Sequence, residues 1–104
     1  MKIKMTVFER LIFMSVMPSS GNILTLRLAQ DLRQRIGFDA KEQTEFEMTS
    51  DDGNVSWNND KAVEKEFEFE LKEMELVQGA LKKLDETESL KSDHVTLWEK
   101  FMEV

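Results

Sequence analysis

The chain has 104 residues, 40% hydrophobic and 34% charged, with seven Phe and two Trp, a balance that fits one folded domain over 1–104 with a single modest core. It has no cysteine, which excludes disulfides and thiolate metal sites. Its net charge of −7 opposes phosphate backbones, so direct nucleic-acid binding is not expected.

That charge is unevenly spread. Residues 1–38 hold six Lys/Arg and two Asp/Glu, whereas residues 39–104 hold eight and nineteen. The first third can therefore attract an anion and the remainder a basic partner.

"MTVFERL" opens a helix over 7–17. Thr6 is the N-cap and Glu9 stands three residues on, the spacing of a capping box. Val7, Leu11 and Met14 mark one face, and Phe8 and Ile12 another. So wide an apolar surface puts the helix at the centre of the fold or in a subunit contact. The apolar run is too short to span a bilayer, which takes about 20 residues. Glu9, Arg10 and Pro18 interrupt it, and no small-residue cleavage site follows, so neither a membrane segment nor a signal peptide is expected.

"PSSGN" (18–22) stops this helix, and a second runs over 23–37 with Leu24, Leu28, Leu32 and Ile36 at i+4 spacing. Gly37 is placed as a left-handed C-terminal cap. Asp39 and Glu42 can cap one further helical turn. The period then changes to alternation. "TEFEMTS" (44–50), "VSWN" (55–58) and "EFEFEL" (66–71) read as three strands, the first two joined by the turn "DDGN" (51–54). Val55, Trp57, Phe67, Phe69 and Leu71 would face inward.

A further helix through Leu84 carries Leu71, Met74, Val77 and Leu81 at helical spacing. Gly79 inside it marks a close helix contact. Ser92 caps a last helix with Val95, Trp98 and Met102 on one stripe and Leu97 and Phe101 beside it. The expected architecture is α+β: two N-terminal helices, a three-stranded antiparallel meander and two C-terminal helices.

The chemistry-bearing residues are sparse. His94 is the only histidine and reads as a capping or surface residue, with no nucleophile near it in sequence. One histidine cannot build a histidine-rich metal site, the carboxylates lack calcium-loop spacing, and no phosphate-binding glycine motif is present. No enzyme activity or cofactor is expected. The nearest thing to an anion site is Ser20, Gly21 and Asn22 at a helix start, with Arg27 one turn on; a plain helix–helix turn explains the same residues. Phe8, Ile12, Trp98, Phe101 and Met102 are the candidate interface. Glu64, Glu66, Glu68 and Glu70 could imitate a row of phosphates.

The order "ERL", "MPSSGNILTLRLAQDLR", "FDAKEQTEFEM", "VSWN", "KEFEFEL", "ALKKLD" and "HVTLWEKF" resembles small uncharacterised proteins encoded by phages and prophages of Gram-positive bacteria. That resemblance implies action in the host cytoplasm and carries no catalytic residue. The function expected first is a non-enzymatic accessory protein that binds a host or phage protein, itself a homo-oligomer. The alternatives are an oligomeric binder of a small anion or signalling nucleotide, and an acidic DNA-mimic inhibitor.

Overall fold

The computed structural model describes residues 1–103. A strand that the sequence reading lacked comes first, β1 (Lys2–Met5). Then follow α1 (Val7–Val16), α2 (Ile23–Ile36), the short α3 (Ala40–Glu45), β2 (Thr49–Asp51), β3 (Asn54–Ser56), β4 (Lys65–Glu68), α4 (Leu71–Glu86), a 3₁₀ turn (Ser92–His94) and α5 (Val95–Met102). The α+β class holds, but the three-stranded meander does not. The strands form two separate two-stranded antiparallel sheets, β1–β4 and β2–β3.

The middle of the chain shows why. The alternation "TEFEM" looks like a strand, yet Asp39 and Glu42 form a capping box that starts α3 in front of it. The helix then runs to Glu45, and Phe46 is buried edge-on against Phe38, with ring centroids 6.5 Å apart. Helical capping has overridden a short alternating pattern. The following turn is as read: Asp52 and Gly53 both have positive φ, as a two-residue type I′ hairpin loop requires.

β4 pairs with the chain's first strand instead. Ile3, Met5, Phe67 and Phe69 are buried on its inner face. On the outer face Lys2 stands opposite Glu68 and Lys4 opposite Glu66, and opposite charges at facing positions favour this register. Both free edges are blunted. Lys100 Nζ donates to the Lys4 carbonyl (2.7 Å) and Arg35 Nη1 to the Glu68 carbonyl (2.9 Å), so carbonyls that an added strand would use are occupied.

The inner face of this sheet and helices α1, α2, α4 and α5 share one core. At its middle, the Phe13 ring centroid lies 6.1 Å from that of Phe69 and 5.9 Å from that of Phe101, and the last two meet edge-on at 5.2 Å. α1 packs against α2, α4, α5 and β1, which puts it at the centre of the fold. The stripe expected on α5 is corrected: Leu97 and Phe101 point into the core, while Trp98 and Met102 are half-buried and Val95 is exposed. Leu24 and Leu71, expected inside, are also exposed.

Two glycines are corrected too. Gly37 ends α2 with φ −63°, not in a left-handed conformation. What it needs is space, since a Cβ there would lie 2.8 Å from the Arg33 carbonyl oxygen. Gly79 makes no close helix contact, because nothing stands within 4 Å of its Cβ direction. Gly79→Ala is therefore expected to stabilise the protein by about 0.5–1 kcal/mol through helix propensity and unfolded-state entropy. Gly37→Ala should destabilise it, and chemical denaturation of the two variants checks both signs.

Candidate functional site

Arg10 lies in the middle of α1 with 0% of its surface exposed. A buried charge of this kind must be paired and hydrogen-bonded, and four of its five N–H donors find acceptors. Nε donates to the Ile36 carbonyl (2.9 Å), and Nη2 to the Gly37 carbonyl (2.7 Å) and Glu42 Oε1 (3.0 Å). Nη1 donates to Glu42 Oε2 at 2.7 Å. The guanidinium carbon also sits 4.0 Å from the Phe38 ring centroid and 5.2 Å from that of Phe67. The two carbonyls end α2, where a cation offsets the negative pole of the helix. One side chain thus joins α1, the end of α2, α3 and β4.

The Glu42 carboxylate has a second partner, accepting from the Asp39 N–H (3.4 Å) at the start of α3. Two other helix starts repeat this arrangement. Glu9 Oε1 accepts from the Thr6 N–H (2.9 Å) and from Lys100 Nζ (2.6 Å). Glu73 Oε1 accepts from the Glu70 N–H (2.8 Å), and the carboxylate pairs with Arg35. Each glutamate serves its own helix and a cation from elsewhere in the fold.

Phe38, stacked on Arg10, forms part of one wall of an opening in the surface. Leu11 and Met14 of α1, Gly37 and Phe38 after α2, Met48, and Val55 on β3 line a cavity of about 310 Å³. Its other wall is the β2–β3 hairpin, whose two strands are exposed along their whole length. The hairpin is tied down by Trp57, which lies 6.4 Å from Phe8 between ring centroids, and by the Asn58 N–H bonded to the Phe46 carbonyl (2.8 Å). Residues 39–60 around it carry seven carboxylates and one lysine. Glu42, Glu45 and Glu47 are paired with Arg10, Lys41 and Lys61. Asp51 and Asp52, at the hairpin tip, are in no ion pair among the described residues.

The candidate interface residues do not form one surface. Phe8 is exposed beside Trp57, and Ile12, Trp98 and Met102 are half-buried against the core. Phe101 is fully buried and is a core residue, since the α5 backbone turns it toward Phe13 and Phe69. Val55, Met48 and Phe38 were missed as surface residues. Only Val55 carried a signal, as the one apolar residue of a short strand after the "DDGN" turn; Phe38 and Met48 lie outside both hairpin strands.

The candidate anion residues form no hydrogen-bonded cluster among themselves. Ser20, Gly21 and Asn22 are exposed, and the Asn22 side chain is spent as an N-cap, accepting from the Thr25 N–H at 2.8 Å. Arg27 is exposed and makes no hydrogen bond to the loop. Arg33 does, donating to the Met17 (2.8 Å) and Pro18 (3.3 Å) carbonyls. His94 Nδ1 accepts from the Lys91 N–H (2.9 Å), a local cap, beside a different cavity that includes Trp98. Among the described residues no three His, Asp or Glu side chains are grouped so as to hold a metal ion, and no helix is long and apolar enough to cross a membrane. No family model, curated protein or solved structure matches this chain.

The paired glutamates have a pH consequence. The Arg10 hydrogen bond holds the Glu42 carboxyl below its ordinary value of 4.5, although partial burial opposes it. Burial would raise Glu9 and Glu73, but Lys100 with the Thr6 N–H, and Arg35 with the Glu70 N–H, outweigh it and lower both. Groups lowered by folding contribute stability that is fully present above the ordinary carboxylate value and lost as pH falls through the folded values. Urea midpoints are therefore expected to hold steady from neutrality to about pH 5 and to fall below it. Arg10→Met, which strands Glu42 and two carbonyls, should cost about 3–5 kcal/mol at neutral pH and make the acid fall shallower.

Proposed function

We propose that this chain is a small non-enzymatic protein-binding module whose contact surface is the groove between α1 and the β2–β3 hairpin. The observation that carries this is the lining: Leu11, Met14, Phe38, Met48 and Val55 leave an apolar opening of about 310 Å³ at the surface. That volume is at the bottom of the range for small-molecule sites and suits one or two inserted side chains. Phe8 and Trp57 line a separate neighbouring opening, and aromatic side chains of this kind commonly anchor protein contacts. In keeping with the resemblance to small phage-encoded proteins, the partner would be a protein of the host cell or of the phage.

The row of glutamates is a weaker basis for DNA mimicry than the sequence suggests. Lys4 and Lys2 of β1 stand directly across from Glu66 and Glu68, so the outer face of the sheet carries mixed charge.

Selection of a random peptide library on the immobilised protein tests the proposal without a known partner. Enriched peptides should contain large apolar side chains and should move the amide resonances of Leu11, Met14 and Val55. Leu11→Asp should reduce their affinity about tenfold or more, the loss typical of a central contact residue. Peptides that bind Leu11→Asp unchanged, or that perturb a different face, would put the contact surface elsewhere.

A further inference from the structure

The groove is lined mainly by apolar side chains, and the unpaired Asp51 and Asp52 follow directly on its Ser50 wall, so its occupant should pair exposed apolar side chains with a cation and carry no carboxylate beside the apolar pair. One segment of the same chain meets that description. Ile23 and Leu24, at the start of α2, are 61% and 74% exposed. Arg27 follows at i+4 and i+3 from them, which places all three side chains on neighbouring positions of one helix surface. Arg27 is exposed and in no ion pair among the described residues. No carboxylate occurs between Glu9 and Asp31; Asp31 stands one turn beyond Arg27, on the side away from Ile23 and Leu24. The other strongly exposed apolar residues differ on this point: Leu71 adjoins Glu70, Val63 adjoins Glu64, Phe8 adjoins Glu9, Val95 lies two residues from Asp93, and Met1 is held beside Glu68 by its own amino group.

The geometry explains why this tip is bare and why it cannot fill its own groove. α2 has 14 residues against the 10 of α1. Arg10 fixes the C-terminal end of α2 level with the middle of α1, and Arg33 reaches the chain just after α1 ends. The first turn of α2 therefore extends past the end of α1, with Ile23 and Leu24 exposed and Thr25 and Leu26 half-buried. The groove lies at the opposite end, against Gly37 and Phe38, about 20 Å away along a helix that rises 1.5 Å per residue.

We infer that the α1–hairpin groove receives the Ile23–Leu24–Arg27 tip of a second copy of this chain. Ile23 and Leu24 enter the apolar floor, and Arg27 meets Asp51 and Asp52 at the hairpin tip. This inference rests on the reading of the groove as a contact surface and names its occupant. Tip and groove are different patches of one molecule, so the contact is head-to-tail. It continues into a ring or an open chain and does not close as a two-fold dimer. Ion pairs at an exposed rim are screened by salt, so raised salt weakens the association.

Light scattering over a concentration series reaching millimolar tests it. The wild-type mass should rise with concentration and fall back with added salt. Leu24→Asp disables the tip and Val55→Asp the groove; both positions are exposed, and circular dichroism checks that the fold is retained. Each variant alone should be monomeric. Mixed in equal amounts they should form a heterodimer and nothing larger, because one intact tip and one intact groove remain. Arg27→Glu, which touches no core residue, should weaken self-association about tenfold, and Asp52→Lys in the partner copy should recover part of that loss. A wild type that stays monomeric, an equal mixture that stays monomeric, or self-association that survives both variants would each overturn the inference. If library peptides still bind the groove of a monomeric wild type, only the second-copy occupant is lost. If Val55→Asp affects neither those peptides nor self-association, the groove reading falls as well.

Discussion

A guanidinium taken fully out of water inside an apolar helix dictates much of what surrounds it. Arg10 cannot be buried by α1 alone, because the helix's own carbonyls are already used in its ladder. Acceptors must come from elsewhere, and those nearest to spare are the last carbonyls of a neighbouring helix, which have no intrahelical partner. The Ile36 and Gly37 carbonyls fill that need. The same requirement fixes where α2 ends relative to α1, brings Glu42 and α3 in behind, and stacks Phe38 over the charge. The groove wall follows from this pairing, and so does the unpaired first turn of α2.

The capping glutamates extend the principle. Glu9, Glu42 and Glu73 each sit three residues into a helix, where they reach back to the N-cap N–H. Each also receives a cation from a sequence-distant element: Lys100, Arg10 and Arg35. A residue that normally has only local work thereby sets long-range geometry. Lys100 and Arg35 have further acceptors on the outer carbonyls of the β1–β4 sheet. The packing of helices and the finishing of sheet edges thus share two of the same side chains.

Much of this was legible in the residues, and the gaps have physical causes. The capping boxes at Thr6 and Asp39, the Asn22 cap and the "DDGN" turn could all be read because each is a local interaction. β1 was missed because four alternating residues mean little until β4, some 60 positions later, supplies a partner. "TEFEM" was misread because its two aromatic-and-Met positions are satisfied by Phe38 and the hairpin, which periodicity does not report. The exposed Leu24 and Leu71 broke the usual rule that apolar spacing marks a buried face. For the site, Phe8 could be picked out from helix spacing, but Val55 and Met48 depended on where the hairpin comes to rest. Arg10 did carry a signal: a charge in an apolar helix must have acceptors, and "FDAKEQ" is one of the segments that offer carboxylates at a helix start.

The pairing of β1 with β4 has a consequence for how the chain reaches this structure. A strand whose sheet partner lies some 60 residues further along the chain must wait during synthesis until that partner has been made. Closing so long a loop is costly in entropy, and the contact forms late and slowly compared with the neighbouring α1–α2 pair. Lys2 and Lys4 give the waiting strand two positive charges that repel another nascent copy. The same lysines later select the correct register against Glu68 and Glu66, so charge protects the strand while it waits and aligns it when it pairs.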